Sequence, residues 1–171
     1  ILSAQPVVNG LKLADPELEI TLWADSPLLA NPTNFDVDTS GRIWVTEGVN
    51  YRRSKTRDGG DQVVVLEDTD LDGVADKSTV FVQDPYLVAP MGIGVIDNQI
   101  YVAQTPYIIG YTDVNRNLVV DEGDTRAVFL TGFIGSNHDH STHPVIGGPD
   151  GKLDVNQGNC GAKITDGDGK T

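Results

Sequence analysis

Cysteine is all but missing from this sequence. Cys160 is the single one in 171 residues, which excludes an internal disulfide framework, a Cys-x-x-Cys zinc site and a Cys-x-x-Cys-His haem attachment. Basic residues are scarce too: 12 Lys and Arg stand against 25 Asp and Glu, for a formal net charge of -13. Nucleic-acid backbones are held by Lys/Arg clusters that displace counterions, so this balance argues against a nucleic-acid partner and against anionic membrane surfaces. No apolar run approaches the roughly 20 residues of a membrane-spanning helix, so no transmembrane segment is expected. The N-terminus shows neither a basic, apolar leader nor an initiator Met, and a processed or truncated N-terminus is expected. No window of a dozen residues keeps an apolar face at helical spacing, so essentially no helix is expected either.

What the sequence does contain is short strand-like runs separated by Gly, Asn, Asp and Pro, the pattern of an all-β protein. Residues 1–17 read as an extended lead-in and 18–171 as one domain. Candidate strands are Glu19–Ala24, Asn34–Asp38, Arg42–Glu47, Gln62–Asp68, Ser78–Gln83, Gly92–Ile96, Gln99–Gln104, Ile108–Thr112, Arg126–Thr131, His143–Gly147 and Lys152–Gln157. Three hairpin-like segments, centred on Trp44, Tyr101 and Asp154, recur at a period of about 55 residues. A second element follows each of the first two, Val63–Asp68 and Tyr107–Asp113. A four-stranded unit repeating in this way is the mark of a β-propeller blade, with a β-sandwich of similar hairpins as the alternative. Three units are fewer than the typically 4–8 blades of a closed ring, so the sequence reads as a part of a propeller, completed by remaining blades or by another chain. Trp23, Trp44 and Met91 are expected in the core between blades. Lys55 and Arg57 are expected to be solvated loop charges.

Two loops are rich in oxygen ligands. In the first, Asp68, Asp70 and Asp72 stand at positions 1, 3 and 5, Gly73 at 6, Val74 at 7 and Asp76 at 9. That is the opening of a calcium loop, in which position 7 offers its backbone carbonyl. The second loop runs Asp113, Asn115, Asn117, Val119, Asp121 and Asp124 at the corresponding positions, with Leu118 in place of the glycine. Clustered carboxylates repel one another unless a cation neutralises them, so Ca²⁺ is the expected ligand. The alternative is a plain polar turn. High extracellular calcium suffices for weak sites of this kind, which points to a periplasmic or extracellular protein. The shorter Asp166-Gly-Asp168-Gly169 run is a weaker match.

All three histidines fall in His138-Asp139-His140-Ser-Thr-His143. Three readings stand: a metal site of imidazoles, a general base oriented by Asp139, or a polar loop. The stretch from Asp139-His140 through Gly148-Pro149-Asp150-Gly151 to Gln157 resembles the soluble quinoprotein sugar dehydrogenases (the PQQ-dependent glucose and sorbosone dehydrogenases). A closer match is with the planctomycete and verrucomicrobial membrane-bound dehydrogenase propeller family. It rests on Asn31-Pro-Thr-Asn-Phe-Asp-Val-Asp38, Gly41-Arg-Ile-Trp-Val-Thr-Glu47, Asn50-Tyr-Arg-Arg53, Leu66–Lys77 and His138–His143. The resemblance covers about Leu18 to the C-terminus and implies a six-bladed propeller. It implies a quinoprotein-like oxidoreductase acting on a sugar or other alcohol. His140 would be the base, paired with Asp139, and His138, His143, Arg52, Arg53 and Gln157 would stand around pyrroloquinoline quinone (PQQ). Asp154, where the family has an aromatic, is a departure. Two alternatives stand beside this one: a non-catalytic, Ca²⁺-stabilised extracellular propeller that binds carbohydrate or protein, and a metal-dependent lactonase or hydrolase propeller.

Overall fold

The computed structural model describes residues 10–11, 13–15, 17–53, 56–135 and 140–170, the side chain of Arg53 excepted. Among these residues the chain is all-β, with a 3-10 turn at Tyr51–Arg53 and no α-helix. Alternation of apolar and polar residues makes each strand two-faced, and tight turns bring successive strands together as antiparallel meanders. The first sheet runs β1 (Pro32–Val37), β2 (Ile43–Glu47), β3 (Asp61–Glu67) and β4 (Lys77–Asp84) in that order. The second runs β5 (Gly92–Ile96), β6 (Gln99–Gln104), β7 (Tyr107–Thr112) and β8 (Thr125–Phe133). β9 (Thr142–Gly147) and β10 (Leu153–Gln157) form a separate hairpin. The last strand, β11 (Ala162–Asp166), returns to pair with the outer edge of β8. None of the three sheets closes on itself.

The sheets stack through their apolar faces. Trp44, Val63, Val65 and Phe81 of the first sheet meet Ile93, Ile100, Val102, Ile109 and Tyr111 of the second. Phe81 sits edge-on to both Trp44 and Tyr111, with centroids 5.0 and 6.0 Å away, an arrangement favoured by the ring quadrupoles. Behind the second sheet, Ala103, Ile108 and Phe133 meet Val145, Leu153 and Val155 of the hairpin. The first strands of the three units lie side by side, β1 on β5 and β5 on β9. Two glycines permit this approach. A Cβ on Gly92 would lie 1.9 Å from the His143 carbonyl oxygen, and one on Gly94 2.4 Å from that of Val145. Any side chain at either position would push β9 away.

Ten of the expected strands are present, their ends shifted by no more than two residues, and one is not. Glu19–Ala24 is irregular chain. It pairs with no strand; instead Trp23 and Ala24, with Leu28 and Leu29, cover Val45, Val64, Leu66 and Ala75 on the outer face of the first sheet. Trp23 is therefore half-buried in a cap over that sheet, not between sheets as expected, whereas Trp44 is in the core at 2% exposure. β11 was not expected, because Ala-Lys-Ile-Thr-Asp buries too little apolar surface to announce a strand.

Candidate functional site

The strand order sorts the chemistry to two ends of the sheets. At one end lie the β1–β2 turn and the carboxylate loops joining β3 to β4 and β7 to β8. At the other lie the β2–β3 connection with Arg52 and the entry to β9 with His140 and His143.

The first carboxylate loop is built on backbone amides that turn inward. Asp68 accepts from the Asp72 amide at 3.2 Å and the Gly73 amide at 2.9 Å; Asp70 also accepts from Asp72, and Asp72 from Val74. Leu71 and Gly73 take left-handed backbone, φ 61° and 91°, and the glycine does so without steric cost. This wrapping draws one carboxylate oxygen each from Asp68, Asp70 and Asp72 within 4.8 Å of one another. Asp76, the expected fourth ligand, accepts instead from the Thr69 hydroxyl at 2.6 Å and the Thr69 amide at 3.2 Å. The Thr69 hydroxyl holds that carboxyl below the ordinary aspartate range. Thr69 was not singled out in the sequence, since a hydroxyl at position 2 belongs to no ligand pattern.

The second loop repeats the same skeleton. Asp113 accepts from the amides of Asn117 at 3.2 Å and Leu118 at 2.9 Å, Asn115 also from Asn117, and Asn117 from Val119. Arg116 and Leu118 take the left-handed positions, φ 60° and 68°. The side chains differ in what they do. The Asn115 and Asn117 amides both donate to Asp121, at 3.1 and 2.6 Å. Asp124 accepts from the Val114 and Asp121 amides. Asp113 is 2% exposed, and Leu118 and Val120 pack against the core between the sheets, with the Val120 amide donating to the Phe81 carbonyl. The Asp166–Lys170 run is a hairpin turn like Asp38–Arg42, its first aspartate accepting from the amides of Asp168 and Lys170 as Asp38 does from those of Ser40 and Arg42.

At the opposite end, buried acids pin the β2–β3 connection. Glu47, 2% exposed, accepts from the Ala30 amide at 2.7 Å and from Arg57 at 2.5 Å. Arg57 is thus one half of a largely buried ion pair, not the solvated charge expected from its Ser-Lys-Thr-Arg context. Asp61 is wholly buried and accepts from the Asn50 and Ala89 amides, while Asn50 brackets the backbone of Arg57 with both ends of its side chain. Buried carboxylates need such donors, because a charge taken from water without them is costly. No sequence pattern marks Asp61, which opens a strand with the apolar centre Val63–Leu66. The loop so held presents Arg52, its guanidinium carbon 5.4 Å from the Tyr51 ring centre.

His140 is exposed and His143 half-buried at the entry to β9. Gln157 receives the Thr142 hydroxyl at 2.7 Å and donates to the Ile134 carbonyl at 3.0 Å. It fastens β10 to the β8 exit. His138 and Asp139, as well as Lys55 and the side chain of Arg53, lie outside the described residues. Among the described residues, then, the first carboxylate loop is the place where expected site residues converge.

The chain belongs to the family described as Domain of unknown function (DUF7133), which matches residues 9–171. No curated protein and no solved structure matches it.

Proposed function

We propose that this DUF7133 chain is part of a calcium-stabilised extracellular β-propeller, a binding scaffold whose Asp68–Asp76 loop holds the ion. One observation carries the cation: three carboxylate oxygens within 4.8 Å of one another, on a backbone already wrapped around them. Such crowding of like charges opposes the fold, and a divalent cation turns the same crowding into attraction. Asp68, Asp70 and Asp72 would hold the ion with the Val74 carbonyl; Asp76, secured by Thr69, would reach it through water. The second loop would stand without an ion, since the Asn115 and Asn117 amides already answer Asp121.

The propeller reading is supported by two successive four-stranded meanders whose leading strands lie beside each other and beside β9. Further blades, from this polypeptide or another, would follow the hairpin. A periplasmic or extracellular setting supplies the calcium that such loops require. The test is thermal unfolding with calcium and with chelator. Stabilisation by calcium that is lost in Asp70→Asn supports the reading; identical unfolding in both buffers overturns it.

A quinoprotein-type oxidoreductase acting on a sugar or alcohol is the second reading, favoured by the placement of Arg52, His140 and His143 at one end of the sheets. The family resemblance casts His140 as a base beside PQQ. The quinone carries three carboxylates, whereas Arg57 at this end is paired with Glu47 and Gln157 is engaged with Thr142 and Ile134. This set does not by itself fit the cofactor. Quinone-dependent dye reduction by the protein, lowered at least about a hundredfold in His140→Ala, would establish this second reading.

A further inference from the structure

A cleft of about 360 Å³ opens beside the first carboxylate loop, lined by Trp23, Ser40, Arg42, Glu67, Thr69 and Leu71 among others. The Trp23 carbonyl accepts from the Ala75 amide at 2.7 Å, which fixes the backbone that carries the indole. Trp23 also packs on the sheet face formed by Val45, Val64 and Leu66. Across the cleft, Arg42 donates through Nε to Asp38 at 2.6 Å, and Asp38 also receives the Trp44 indole at 2.9 Å. The guanidinium is thereby held in place, and among the described residues its terminal amino groups are left for a ligand. Glu67 receives Lys77 on Oε2 at 2.6 Å and keeps Oε1. The lining therefore combines a supported aromatic wall with a fixed donor, a carboxylate acceptor and the Ser40 hydroxyl.

Each part selects a ligand. Glu67 and Asp68 repel anions, and Arg42 repels cations. An aromatic face matched by donors and acceptors at its rim suits a molecule with one apolar face and hydroxyls around its edge. We propose that this cleft binds a neutral pyranoside, laid against the Trp23 indole with its hydroxyls toward Arg42, Glu67 and Ser40. This deepens the binding-scaffold reading by naming a ligand class and a place. It rests on the cation reading in one respect only: the bound ion holds the Asp68–Leu71 wall.

The experiment titrates calcium-loaded protein with methyl glucoside, methyl galactoside and methyl mannoside while tryptophan emission is followed. Trp44 is buried, so Trp23 reports the cleft. At least one glycoside should give a saturable change, absent in Trp23→Phe and weakened by about tenfold or more in Arg42→Ala. Because Asp38 links Arg42 to Trp44, Glu67→Gln and Ser40→Ala serve as milder variants and should weaken binding as well. Absence of a saturable change with every glycoside overturns the proposal, as does binding unaltered in Arg42→Ala, Glu67→Gln and Ser40→Ala. A calcium isotherm on the same sample separates this failure from failure of the cation reading.

Discussion

The loops Asp68–Asp76 and Asp113–Asp121 share a backbone and differ in what makes it stable. In both, the first side chain accepts the amides of positions 5 and 6, and positions 4 and 6 are left-handed. The first loop is on the surface, with Leu71 86% exposed and three carboxylates crowded together. The second is tied into the core: Asp113 is buried, Leu118 and Val120 reach the contact between sheets, and two asparagine amides face Asp121. Leu118 occupies the left-handed site where the first loop has Gly73, a strain its packing offsets. The same fold of chain can thus be completed from within, by packing and amides, or from without, by an ion. Counting oxygens along the sequence does not distinguish the two; burial does.

The comparison can be broken at several points. The largest effect is expected from Asp113→Ala, which leaves the Asn117 and Leu118 amides without their buried acceptor and should cost about 3 kcal/mol in denaturant unfolding. That loss should be the same with calcium and with chelator. A calcium-dependent loss would mean that the second loop, too, is completed by an ion. Close behind comes the ion itself. At about 100 times its dissociation constant, calcium should add about 2.7 kcal/mol by linkage, all of it removed by Asp70→Asn. The double change Asn115→Asp with Asn117→Asp should then give the second loop the character of the first. The variant should unfold more easily in chelator and gain more from calcium than the parent. Equal unfolding in chelator would show that carboxylate crowding is not the source of the difference.

Smaller effects probe the turns. Asp38 is partly desolvated, which by itself would raise its pKa, but hydrogen bonds from Trp44 and Arg42 outweigh this and hold it below the ordinary aspartate value. Its contribution is present above the unfolded-state pKa and lost as pH falls through the lower, folded one. Asp38→Asn should therefore flatten the acid limb of a stability–pH profile and leave neutral-to-basic behaviour parallel to wild type. The smallest change is expected from Arg116→Ala. Its two-pronged pair with Asp97, both contacts at 2.6 Å, is fully exposed, and melting should shift within the range of ordinary surface substitutions.

Much of this architecture is legible in the sequence. Alternating apolar residues bounded by Asp, Asn and Gly mark the strands from β1 to β10, because each has a ladder partner a turn or a loop away. The misreadings share a cause. Glu19–Ala24 carries the alternation of a strand, yet whether an edge is available to it is decided by the whole sheet. Arg57 looks like a surface charge until the chain brings Glu47, ten positions earlier, into its reach. β11 is too exposed to show a pattern. Local chemistry shows in composition and spacing, whereas partners brought together by the sheet do not.

The central claim is that the surface loop needs an ion and the core-anchored loop does not. Calcium titration calorimetry on the parent, Asp70→Asn and Asp121→Asn tests it most directly. The account predicts a tightest site that is lost in Asp70→Asn and retained in Asp121→Asn. A tightest site that survives Asp70→Asn and disappears in Asp121→Asn would contradict it, as would a parent protein that binds no calcium.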